Sequence, residues 1–174
     1  MNPDMNTRLD KLLDQVEKPA RYVGEEVGAI SKAHTPDMGT MAFCFPDTYE
    51  IAMSHLGMKV LYDIVNRAPH LLCERVCMPW VDMADLLRQE NLPLFSLETR
   101  TPLDQFQVVG FTLQYEMSYT NILEMLDLGH IPVKSSDRAE DAPIVIAGGP
   151  CAFNPEPMAA FVDAFVIGDG ERAT

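Results

Sequence analysis

No apolar run in this sequence reaches the roughly 18 residues a membrane-spanning helix needs. The leading stretch MNPDMNTRLDKLLDQVEK is polar and amphipathic where a secretory leader requires an apolar core, so the chain is read as cytoplasmic. Cationic side chains are scarce: 13 Lys and Arg stand against 26 Asp and Glu, giving a net charge of −13. Such a surface repels phosphate backbones and anionic membranes, which excludes direct nucleic-acid binding and peripheral membrane binding by this domain. Four cysteines are too few for a disulfide scaffold and are expected as free thiols. Cys73 and Cys77 lie in an apparent strand that separates them by roughly 13 Å, too far for one ion. Cys44 and Cys151 sit near predicted strand ends and are read as small buried hydrophobes, so no metal ligand is assigned. No nucleophile elbow, acid–base pair, internal repeat or low-complexity tract is present, which argues against a free-standing hydrolase.

At 174 residues, 47% hydrophobic and 22% charged, the chain has the size and composition of one globular domain. Residues 1–20 form a separate amphipathic segment, with Leu9, Leu12, Leu13 and Val16 on one face of a helix over Thr7–Lys18 that Pro19 stops. Residues 21–174 carry the core. A possible edge strand covers Val27–Ile30, and Thr40–Phe45 is the first firm strand. Asp47-Thr48-Tyr49-Glu50 has capping-box spacing with Asp47 as the cap, and the helix it opens runs on to about Asn66. Strands at Glu74–Met78, Leu94–Leu97 and Gln107–Leu113 alternate with helices at Trp80–Glu90 and from a Ser118 cap to Leu128, where Gly129 ends the last. This alternation predicts an α/β fold with a doubly wound, mostly parallel sheet and helices on both faces.

The rest is organised around residues 142–171. Pro143–Ala147 is a continuous apolar strand ending in Gly148-Gly149-Pro150, Asn154-Pro155-Glu156 reads as a capped helix start, and Asp163–Ile167 is a second strand ending in Gly168-Asp169-Gly170-Glu171. Both glycine turns are expected on one sheet edge, where ligands approach the backbone closely. The turn after the first strand, Pro46–Glu50, lacks the glycines of a dinucleotide loop and carries two carboxylates, which disfavours nicotinamide and flavin cofactors.

GGP, NPEP and VDAFVIGDGE at this spacing, together with FPDTYEIAMSHLGMKVLYDIVN, resemble the cobalamin-binding-type domain that precedes the catalytic barrel in many radical S-adenosylmethionine (radical SAM) enzymes, in an uncharacterised branch. The resemblance covers about Tyr22 to the end. It implies a Rossmann-like or flavodoxin-like fold and a corrinoid held at the strands' carboxyl edge, with Asp47, Thr112, Gln114, Tyr115, Ser118, Gly148, Gly149, Pro150, Gly168 and Gly170 as candidate cofactor contacts. Thr112 matches a hydroxyl residue near the buried nucleotide tail, whereas Gln114 departs from the usual leucine. The D-x-H-x-x-G motif that supplies a cobalt-ligating histidine is absent. His55, about 12 Å along an unbroken helix from the edge, does not replace it.

The three-cysteine C-x-x-x-C-x-x-C motif is also absent, so S-adenosylmethionine and a 4Fe-4S cluster are expected only in a downstream radical SAM barrel, the implied partner. On this reading the chain is an N-terminal portion, with a frayed C-terminus, an exposed apolar patch near the last strand and self-association through it. The competing reading is a cofactor-free α/β scaffold that packs on a barrel.

Overall fold

The computed structural model describes residues 3–172. Five strands, β1 (Gly39–Phe45), β2 (Leu71–Cys77), β3 (Val108–Thr112), β4 (Ile144–Gly148) and β5 (Ala164–Val166), form one sheet in the order β2-β1-β3-β4-β5. Every pairing is parallel. The order reverses between β1 and β3, so the chain leaves those neighbouring strands toward opposite faces and opens a crevice at their carboxyl ends.

Period-two alternation assigns the faces. Ala42, Cys44, Val109, Phe111, Val145 and Ala147 point into the larger core, beneath α4 (Val81–Glu90) and α5 (Tyr119–Leu128). Phe43, Phe45, Cys73 and Cys77 point the other way, toward α2 (Tyr49–Ser54) and α3 (Leu56–Arg67). The fold is therefore the expected doubly wound parallel sheet with helices on both faces. The N-terminal helix α1 (Pro3–Leu13) inserts Leu9 and Leu12 into the larger core. It ends well before Pro19, which opens a 3₁₀ turn instead of stopping the helix.

Several local expectations are corrected. Val27–Ile30 forms no strand, and Leu94–Leu97 contributes only an isolated antiparallel bridge from Phe95 to Pro102. These segments instead cover the open edge of β2: Leu97 N–H donates to the Arg75 carbonyl, and Glu98 accepts from Arg75 N–H at 2.8 Å. An edge capped this way cannot template another strand. Arg75, 8% exposed, is held there by Glu98 and Glu26, both at 2.6 Å. Lys32 donates to the carbonyls of Asn66, Ala68 and Leu71, satisfying the C-terminal end of α3.

The helix expected from Asp47 to Asn66 is broken at His55, and its N-cap is Thr48, because Asp47 Oδ1 accepts from the Thr48 N–H rather than from the helix. Its expected wide buried surface also narrows: Ile51 and Leu56 are exposed, while Met58, Tyr62 and Val65 are buried. Ser118 precedes α5 without a capping bond, since its Oγ donates backward to the Tyr115 carbonyl. Between β4 and β5 the expected helix is reduced to two 3₁₀ turns, Pro150–Phe153 and Glu156–Met158. A third, Gly170–Arg172, follows β5. The expected fraying of the terminus falls on 173–174, outside the described residues.

Candidate functional site

On the α3 face, α2 and α3 cover β1 and β2. Over β3, β4 and β5 the described residues place no helix, and a groove of about 410 Å³ lies there. Its floor follows from alternation: Val108, Gly110 and Thr112 of β3, Ile146 and Gly148 of β4 and Val166 of β5 face it, with Met58 and Leu61 of α3 as one wall. Gly110 leaves the dent into which the Met41 side chain folds. Gly148 differs, since a Cβ there would meet only Val166, at 3.4 Å from its carbonyl oxygen, and would otherwise project into the groove.

The ends of the groove are polar and its middle is not. At the carboxyl end Gln114 Nε2 donates to Thr112 Oγ1, leaving the Gln114 carbonyl oxygen without that partner. At the amino end Thr40 and Gln107 exchange two hydrogen bonds of 3.1 Å, each from a backbone N–H to the other's side-chain oxygen. Among the described residues no Asp, Glu, Lys or Arg lines the groove. An occupant must therefore be flat, largely apolar and uncharged along its middle, because nothing there offsets the desolvation of a charge.

Of the residues singled out from the sequence, Thr112, Gln114, Gly148, Gly149, Gly168 and Gly170 line this groove, whereas Asp47, Tyr115, Ser118 and Pro150 do not. Asp47 and Tyr115 meet above the β1 and β3 ends, Oη to Oδ2 at 3.5 Å, and Asn121 Nδ2 donates to the Pro46 carbonyl at 2.9 Å. These contacts brace the crevice where the strand order reverses. Gly149 and Gly168 both have positive φ, +107° and +105°. At Gly149 an added Cβ would come within 3.0 Å of the Leu113 carbonyl oxygen, so glycine is required there by the backbone itself.

His55 lies closer to the site than its sequence position suggested. The break between α2 and α3 makes it the N-cap of α3, with Nδ1 accepting from Met58 N–H at 3.2 Å, and its ring lines the groove. Gly57 leaves room for that ring, since a Cβ there would stand 3.0 Å from His55 Cε1. With Nδ1 accepting, the neutral imidazole carries its proton on Nε2 and has no free lone pair there for a metal.

Cys44, Cys73 and Cys77 are buried, and burial raises all three thiols, Cys77 to about 12. Among the described residues no group of His, Cys, Asp and Glu could hold an ion. A larger depression of about 830 Å³ between α1 and residues 99–105 is polar, but its cations are committed: Arg8 to Glu90, Arg100 to Asp10 and Lys32 to backbone carbonyls. Among the described residues no helix is long and apolar enough to cross a membrane.

Residues 57–174, more than half of the chain, match the family described as radical SAM proteins, N-terminal. The chain belongs to that family. An uncharacterized protein of Methanocaldococcus jannaschii is 27% identical to this radical SAM N-terminal domain over 132 residues, which are 75% of this chain and 24% of the relative. The chain thus spans about a quarter of the length of the curated relative it matches. No solved structure matches it. The matched region contains α3, β3, β4 and β5, and hence most of the groove.

Proposed function

We propose that this radical SAM N-terminal domain holds a corrinoid, without a histidine ligand to cobalt, for a downstream barrel that binds S-adenosylmethionine and a 4Fe-4S cluster. The observation that carries this reading is the groove of about 410 Å³ over β3, β4 and β5, uncharged along its lining and glycine-lined at its carboxyl end. Its apolar floor suits the aromatic base of a nucleotide tail. Thr112 and Gln114 would bond the tail's polar groups, and the backbones at Gly148 and Gly168 leave space for the macrocycle at the edge. Bound there, a corrinoid supplies a transferable alkyl group. The chain's own residues bind, orient and shield it from water.

A second reading, a cofactor-free scaffold, is favoured by the same uncharged floor, which suits an apolar helix face as well as an aromatic base. The two differ in one measurement. Protein mixed with hydroxocobalamin is expected to carry the corrinoid through gel filtration, with no histidine-ligated change in the visible spectrum. Elution free of corrinoid, from the full-length polypeptide as well as from this chain, would favour the scaffold.

A further inference from the structure

We propose that the carboxyl rim of the sheet is the docking face for an apolar, basic surface of the catalytic domain that follows in the same polypeptide. This rests on reading the chain as the N-terminal module of a radical SAM enzyme. Five of the exposed large hydrophobics carry it, each in the segment that follows a strand. Val81 is 63% exposed after β2, Met117 81% after β3, Phe153 71% after β4 and Ile167 59% after β5, with Ile51 at 49% in the helix that follows β1. Because all five strands are parallel, these segments leave from one edge. Four interstrand spacings of about 4.8 Å make that rim roughly 19 Å across. A cofactor in the groove over β3–β5 does not cover Ile51 and Val81 on the β1–β2 half of the rim, and apolar side chains exposed along a whole edge mark a macromolecular contact.

Charge selects the partner. The rim segments 46–51, 78–82, 113–118, 149–153 and 167–172 contain Asp47, Glu50, Asp82, Glu116, Asp169 and Glu171 against a single cation, Arg172. Glu50 is answered by Arg21 and Lys18. Glu116, Asp169 and Glu171 are exposed beside Met117 and Ile167. Like-charged rims oppose pairing of two copies of this chain and favour a cationic face. The occupant is close at hand: the 3₁₀ turn Gly170–Arg172 leaves β5 on this rim, and the matched relative has three-quarters of its length outside the matched segment.

The test compares maleimide labelling of Met117→Cys, Phe153→Cys and Ala139→Cys, each read by peptide mass spectrometry, in this chain and in the full-length polypeptide without corrinoid. Ala139 is exposed on the turn before β4, at the opposite edge. The rim positions are expected to label at least about tenfold more slowly in the full-length polypeptide, with residue 139 unchanged. Glu116→Lys with Asp169→Lys, or raised salt, should restore fast labelling. Equal rates at the rim, or protection at residue 139 instead, would overturn the proposal. So would protection in this chain alone that grows with concentration, which means self-association. A full-length polypeptide without a clustered-cysteine domain overturns the underlying reading instead, whatever the labelling.

Discussion

Thr112 of β3 and Gly148 of β4 are register partners in the parallel sheet, and both face the groove. One contributes a hydroxyl and the other the space beside it. Gly148 and its neighbour Gly149 look equivalent as a glycine pair, yet they do different work. Gly148→Leu places a side chain in open groove against Val166 and is expected to abolish corrinoid uptake while the protein stays folded. Gly149→Ala forces a Cβ against the Leu113 backbone at φ +107° and is expected to destabilise by about 1–3 kcal/mol. Urea unfolding of both variants checks this; equal stability losses would remove the distinction.

Arg75 is the keystone of the β2 edge. Its guanidinium pairs with Glu98, only 1% exposed, and with Glu26, and lies 5.0 Å from the Tyr62 ring centroid. Removing it leaves a buried carboxylate uncompensated, so Arg75→Ala is expected to cost about 3–5 kcal/mol. Adding Glu98→Gln to that variant should recover part of the loss in a denaturant titration, since the stranded charge is gone.

Acid should act on the same network. Burial alone would raise the Glu26 carboxyl, but the neighbouring Tyr49 hydroxyl and the hydrogen bond and charge of Arg75 outweigh it and hold it below the usual range. A lowered folded value gives stability that is present above the unfolded value of about 4.3 and is lost as pH falls through the folded one. Glu98 is the opposite case, raised by burial, so its protonation on acidification relieves a cost. Glu26→Gln is therefore expected to be less stable at pH 7 and to lose less stability below about pH 4.3, measured by urea midpoints across pH. An unchanged acid slope would contradict the assignment.

Thiol accessibility gives a further check. Cys44, Cys73 and Cys77 are buried and protonated, while Cys151 is partly exposed. Iodoacetamide on native protein is expected to modify Cys151 alone, and all four cysteines in urea. Rapid native labelling of Cys73 or Cys77 would mean that the α3 side of the sheet opens.

Four of the five strands were legible because each is a short apolar run with agreeing flanking turns; β2, Leu71–Cys77, was read three residues late, as Glu74–Met78, because Glu74 and Arg75 interrupt its apolar run. The α/β order follows from them, and Gly148–Gly149 marks the groove's carboxyl end. The groove floor was not read, although Val108-Gly110-Thr112 and Ile146-Gly148 carry its signal: alternate positions of adjacent strands that include two glycines, Gly110 and Gly148. Leu94–Leu97 has strand composition, but its hydrogen bonds go to Arg75 and Leu128 in a covering loop, a tertiary choice that local pattern does not contain. The break at His55 was hidden for a similar reason. An unbroken apolar pattern runs through it, and only the side-chain bond to Met58 N–H shows that a new helix begins there.

The central claim is that the groove takes a corrinoid's nucleotide tail, and comparing cobalamin with cobinamide, which lacks that tail, tests it most directly. Burying one aromatic base is worth about 1.5–3 kcal/mol, so equilibrium titration is expected to give cobalamin at least about tenfold tighter binding, a margin that Gly148→Leu erases. Equal affinities for the two corrinoids in the unaltered protein would contradict the account.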